Sequence, residues 1–107
     1  MQEVSADTFT DEVIAHAGRV VVDFYADWCG PCRAMIPVLS KFSQDHSESV
    51  KVVKVNVDDS PELAADHGVQ SIPTLVLFED GEMKGRLVGS QSQSSLYNWA
   101  IGEEDAA

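Results

Sequence analysis

Hydrophobic and polar positions divide this chain into short alternating elements. Between Thr8 and His16, Phe9, Val13 and Ile14 stand among polar neighbours. That pattern predicts a short amphipathic helix, with Asp7 as N-cap and Gly18 past its end. Val20 to Tyr25 is a continuous β-branched and aromatic run, VVVDFY. A strand buried on both faces reads this way. After Cys29, Met35, Ile36, Leu39 and Phe42 recur at helical spacing, and Pro37 inside that helix reads as a kink. Val50 to Val57 is a second strong strand. Ser60-Pro61-Glu62 has the form of a helix start, with Ser at the cap and Pro at the first helical position. Thr74 to Phe78 reads as a third strand, and Asp80-Gly81 turns it into Lys84–Val88. Ser92 caps a last helix whose Leu96, Trp99 and Ala100 share a face.

The strands Val20–Tyr25 and Val50–Val57 are separated by a whole helix, so they should lie parallel with a right-handed crossover. The hairpin strands must be antiparallel. The expected architecture is α/β, one mixed sheet with helices on both faces. Length allows one domain over residues 1–107, with Glu103-Glu104-Asp105 in a frayed acidic tail.

Charge narrows the partners. Seven Lys and Arg face 18 Asp and Glu, a formal net charge of -11. Nucleic-acid phosphates and anionic membrane surfaces both call for basic clusters, so neither is expected as a partner. The acid excess reads as solubility, or as adaptation to high salt. No apolar run approaches the roughly 20 residues of a membrane span, and no basic-then-apolar leader opens the chain. A cytoplasmic location is the default expectation.

Both cysteines lie in Trp28-Cys29-Gly30-Pro31-Cys32. Two thiols at this spacing can hold a metal, staple a fold or exchange electrons. A structural zinc site wants four ligands, and His16, His46 and His67 lack finger spacing. They read as ordinary residues, two at helix ends and one near a turn. A staple across so short a loop stabilises little. A C-x-x-C that follows a buried strand and opens a helix is the redox arrangement. The helix's first turn offers unpaired N–H groups and a partial positive charge, which favour a thiolate at Cys29. Cys32, a turn further in, should be less exposed. Pro31 fits the first turn without losing a hydrogen bond. Asp23, inside VVVDFY, is costly there unless paired or protonated. A solvated strand-end carboxylate is the plainer reading of it.

The segment DFYADWCGPCRAMIPVL resembles the active-site segment of the thioredoxin family, and Ile72-Pro73-Thr74 resembles that family's cis-proline loop. Gly81 and Gly89 fall where the family also carries glycines. The likeness covers nearly the whole chain, from the first helix to the last. It implies a thioredoxin fold of about five strands flanked by about four helices. It also implies a thiol–disulfide oxidoreductase that reduces disulfides in other proteins and is re-reduced by a thioredoxin reductase-type partner. No metal or organic cofactor is implied, since the two thiols carry the electron pair, and the protein is expected as a monomer. By the same resemblance, Cys29 is the nucleophile and Cys32 the resolving thiol. Asp23 exchanges a proton with Cys32, and Lys54 lies near Asp23. Lys54 also reads as an ordinary polar strand position, and the two readings stay open. Pro73 would be cis and face the sulfurs, with the backbone at Ile72 pairing to an extended substrate segment. Trp28, Gly30, Pro31, Ile72, Pro73 and Gly89 would line the docking surface, with Trp28 partly exposed. Tyr25 stands where Trp is common in the family, and Arg33 where Lys is common. The polar, uncharged segment Ser90–Ser94 and the strong acidity bear on partner affinity rather than on the reaction. A module that wears the fold only to bind or scaffold is the alternative from another class.

Overall fold

The computed structural model describes residues 1–102. The acidic tail expected at residues 103–107 lies outside them. The strands are β1 (Gln2–Glu3), β2 (Arg19–Tyr25), β3 (Val50–Asn56), β4 (Thr74–Glu79) and β5 (Glu82–Val88). The helices are α1 (Gly30–Asp45), α2 (Pro61–Asp66) and α3 (Gln93–Tyr97), with π-helical turns at Thr10–Ile14 and Asn98–Gly102. The sheet runs in the order β1-β3-β2-β4-β5. β3 is parallel to β1 and to β2, while β4 is antiparallel to both β2 and β5. The mixed sheet and the parallel pairing of the two apolar strands agree with the pattern of the chain.

β1 went unread because two residues carry no periodicity. It is held by its register, Gln2 opposite Val53 and Glu3 opposite Lys54. The first helix also differs from expectation. It spans only Thr10–Ile14, and Asp7 does not cap it. The chain before it turns on Ser5 instead: the Thr8 and Phe9 amides donate to Ser5 O at 3.1 and 2.9 Å. Ser60 precedes α2 as expected, yet its hydroxyl makes no cap bond. That hydroxyl accepts from the Ala6 amide at 3.3 Å and ties the N-terminal segment down. Ser92 does cap α3, in a reciprocal box with Ser95.

The sheet has apolar residues on both faces because its central strands alternate between two cores. Val20, Val22 and Phe24 of β2 pack with Phe9, Val13, Leu63 and Ala64. Val21, between them, packs on the other face with Met35, Leu39, Phe42 and Leu96. The expected sharing of a face in the last helix holds for Leu96 and Ala100, which are buried there, with Trp99 packed at the edge. Asp23 lies two residues beyond Val21 and therefore points to the α1 side. Tyr25, two further on, packs against Cys29 and Cys32. The one acidic side chain of β2 thus lies on the face between the α1 core and the cysteines.

Candidate active site

Cys29 is the N-cap of α1, its backbone extended (φ -83°, ψ 113°), and its sulfur accepts from the Cys32 amide at 3.2 Å. Cys29 and Cys32 are joined by a disulfide, their Cα atoms 5.2 Å apart. Both are buried, Cys29 at 5% exposure and Cys32 at 2%, so Cys32 is only slightly the deeper of the two. Gly30 and Pro31 are exposed at the helix start. The sheet delivers this turn to the carboxyl end of β2, where open α/β sheets place their sites.

Across from the disulfide the Ile72–Pro73 peptide is cis. The Ile72 carbonyl oxygen lies 3.9 Å from Cys29 Sγ. The Gly89 amide donates to Pro73 O at 2.8 Å, with Gly89 at φ +90°, and this joins the end of β5 to the same loop. A cleft of about 380 Å³ opens beside the disulfide, walled by Trp28, Cys29, Val57, Ala64, Val69 and Ile72. Its walls are mostly apolar, and the cysteine forms one side. A second cleft of about 420 Å³ lies among His16, Arg19, Glu48 and Lys51. That one sits at the amino ends of β2 and β3, the opposite end of the sheet from the sulfurs.

Trp28 is 67% exposed, more open than partial exposure implies. Its indole N–H donates to Asp58 Oδ2 at 2.9 Å. Asp58 is a site neighbour that the sequence reading missed. It follows β3 in Asn56-Val57-Asp58, where Asn56 Oδ1 accepts from the Asp58 amide at 2.8 Å. Only the position of this turn at a strand's carboxyl end could have flagged it.

Asp23 is 2% exposed, and its Oδ1 has no hydrogen-bond partner among the described residues. The plain reading of a solvated carboxylate is therefore overturned. Burial pushes its pKa up to about 7, against the pull of the Lys54 ammonium. Asp23 and Lys54 are register partners on β2 and β3, so they share a face and a row. This brings Lys54 into the site's surroundings, as the first of its two readings required. Two of the three histidines close helices, His46 after α1 and His67 after α2, and His16 lies in the loop before β2. Among the described residues no three His, Cys, Asp or Glu side chains are grouped to hold a metal ion.

A vicinal-type cysteine pair at a helix N-terminus, on a mixed five-stranded sheet with a cis-proline loop opposite, defines a thiol–disulfide oxidoreductase. The thioredoxin family model matches residues 1–101. Thioredoxin 1 of Synechococcus elongatus is 45% identical over 95 residues, covering 89% of this chain and 89% of that protein. Thioredoxin of Rickettsia prowazekii is 39% identical over 99 residues, covering 92% and 94%. Thioredoxin of Porphyra purpurea is 43% identical over 96 residues, covering 90% of each. The chain belongs to the thioredoxin family. Its activity is protein-disulfide reduction through a redox-active disulfide, a chemistry that uses no separate cofactor. The family acts on disulfide-containing targets and is renewed by reductase-type partners.

Proposed function

We propose that Cys29 is the attacking thiolate and Cys32 the resolving thiol of a one-domain protein that reduces protein disulfides. The observation that carries this assignment is the Cys29–Cys32 pair at the start of α1, with Cys29 Sγ against the Ile72 carbonyl and beside the apolar cleft. In the reduced protein the Cys29 thiolate attacks one sulfur of a target disulfide. The target S–S bond breaks, one target thiolate leaves, and a Cys29–target mixed disulfide remains. Asp23, as carboxylate, takes the proton from the Cys32 thiol. The Cys32 thiolate attacks Cys29 Sγ and expels the second target sulfur. Two electrons have then passed to the target, and the Cys29–Cys32 disulfide is the oxidised product.

The pKa of about 7 on Asp23 suits this proton transfer at neutral pH. Trp28, Gly30, Pro31, Ile72, Pro73 and Gly89 form the surface on which an extended target segment docks, paired to the backbone at Ile72. The Lys54 ammonium, across the strand pair from Asp23, favours its ionised form against the effect of burial. The partner that restores the dithiol is a thioredoxin reductase-type enzyme. The protein works as a cytoplasmic monomer with neither nucleic acid nor membrane as partner. In support, the chain is strongly acidic, and no described helix is long and apolar enough to cross a membrane.

The test is reduction of insulin disulfides driven by dithiothreitol. Wild type should accelerate it, Cys29→Ser should reduce the rate to that of dithiothreitol alone, and Cys32→Ser should accumulate mixed disulfides through Cys29. No acceleration by wild type would leave a binding module. Trapping that requires Cys32 would reverse the assignment of the two thiols.

A further inference from the structure

Tyr25 stands in the same sheet row as Asn56 and two rows from Asp23, on the same face, and polar groups meet it there. Its hydroxyl donates to Glu3 Oε1 at 2.7 Å. The Lys54 ammonium sits over its ring, 5.2 Å from the centroid. Glu3 and Lys54 are register partners on β1 and β3, and Lys54 and Asp23 are register partners on β3 and β2. Three charged side chains therefore line up across neighbouring strands as Glu3, Lys54 and Asp23. Directly opposite residues on adjacent strands stand about 5 Å apart. Lys54 thus stands between two carboxyl side chains on neighbouring strands, and a pull toward one draws its ammonium from the other.

We propose that Tyr25 is a positioning residue for disulfide exchange: its hydroxyl engages the Glu3 carboxylate and its ring holds the Lys54 ammonium, leaving Lys54 to Asp23. The proposal rests on the reading of Asp23 as the proton acceptor for Cys32. A phenol that donates to a carboxylate has a more electron-rich ring, and this strengthens its attraction for a cation above its face. Burial, then the Glu3 carboxylate, hold the Tyr25 hydroxyl well above the ordinary phenol range, so it remains a donor at working pH. The groups that face this cluster are Cys29 and Cys32 from α1, Lys54 from β3, Glu3 from β1 and Asp27 just beyond β2. Arg33 of α1 is turned to the Asp27 carbonyl, at 2.7 Å.

Removing only the hydroxyl, in Tyr25→Phe, frees the Glu3 carboxylate to pair with Lys54 and draws the ammonium from Asp23. Lys54 is what lowers the Asp23 pKa, so that pKa must then rise. The measurement is the carboxyl carbon shift of Asp23 followed by NMR against pH in the oxidised protein. Tyr25→Phe should move the midpoint up by about half a unit or more, the scale of a partly shielded ion pair. Glu3→Gln added to Tyr25→Phe should bring it back, because the competing charge is gone. A midpoint that stays within about 0.2 units in Tyr25→Phe overturns the proposal. So does a shift that Glu3→Gln fails to reverse, since Tyr25 would then act through packing alone. The proton-acceptor reading is tested apart, by the pH profile of insulin reduction. If Asp23→Asn leaves that profile unchanged, that reading fails whatever the carboxyl titration shows. If Asp23→Asn changes the profile and Tyr25→Phe leaves the titration in place, only the role of Tyr25 fails.

Discussion

Asp23 is the residue whose environment departs furthest from its chemistry. An aspartate in water loses its proton near pH 4, whereas here burial holds it until about 7. Below pH 4 the folded and unfolded chains are both protonated at this site, and its contribution to stability is complete. Between about 4 and 7 the unfolded chain ionises and the folded one does not, so stability falls as pH rises. Above 7 the loss is complete, and three pKa units correspond to about 4 kcal/mol. Asp23→Asn should therefore gain stability over wild type by about that amount at pH 8 and be nearly level with it at pH 4. Urea unfolding at the two pH values measures this, and an equal difference at both would place the effect elsewhere. The same variant should slow insulin reduction near neutral pH, since Cys32 loses its acceptor. The position of Asp23 within an otherwise apolar run was visible in the chain. Its nearness to Lys54 came from the family resemblance alone and not from the pattern of the chain, because register is a property of the assembled sheet.

At the scale of elements, the β4–β5 turn shows how local sequence and distant contacts combine. Asp80 and Gly81 both have positive φ, 51° and 84°, as a two-residue hairpin turn demands. The turn is then tied to the start of β2, with the Asp80 amide donating to Gly18 O at 2.9 Å and the Gly18 amide to Asp80 Oδ1 at 2.8 Å. A Cβ on Gly81 would come within 2.5 Å of the Ile14 carbonyl oxygen, whereas one on Gly18 (φ +95°) would meet nothing within 4 Å. Gly18→Ala should thus cost only its backbone conformation, about 1 kcal/mol, and Gly81→Ala more than about 2. Equal shifts in the urea midpoint would mean that the Ile14 contact relaxes freely. Arg86 of β5 reaches the carbonyls of His67 and Gly68 at 2.6 and 3.0 Å and so secures the end of α2. Arg86→Ala should destabilise by about 1–3 kcal/mol, and hydrogen exchange at the end of α2 should quicken. If exchange there stays unchanged, the Arg86 contacts do not restrain the helix. The hairpin was legible from two residues; the reach of Arg86 was not, since 18 residues separate it from Gly68.

Over the whole molecule, the chain carries a net charge of -11, and its described residues form a body of 38 × 29 × 22 Å. At about 0.01 M salt the screening length is about 30 Å, which is as large as the protein, so most acidic pairs repel one another. At about 0.1 M it falls to about 10 Å. The melting temperature should climb over that interval and level off beyond it if repulsion is the whole effect. A climb that continues steeply in molar salt would instead mark adaptation to high salt. Thermal melts across the series choose between the two.

The pattern of the chain by itself determined the alternation of strands and helices, the parallel pairing of the two apolar strands, the hairpin at Asp80-Gly81 and the place of the cysteines at a helix start. Each is local: side-chain periodicity, a turn residue's allowed φ, or the connection length that separates parallel from antiparallel strands. Only the tertiary structure decided that β1 exists, that Glu3, Lys54 and Asp23 share a row, that Asp58 meets Trp28, and that Ser60 binds Ala6 rather than its own helix. These depend on which strands become neighbours and in what register, which no stretch of residues encodes alone.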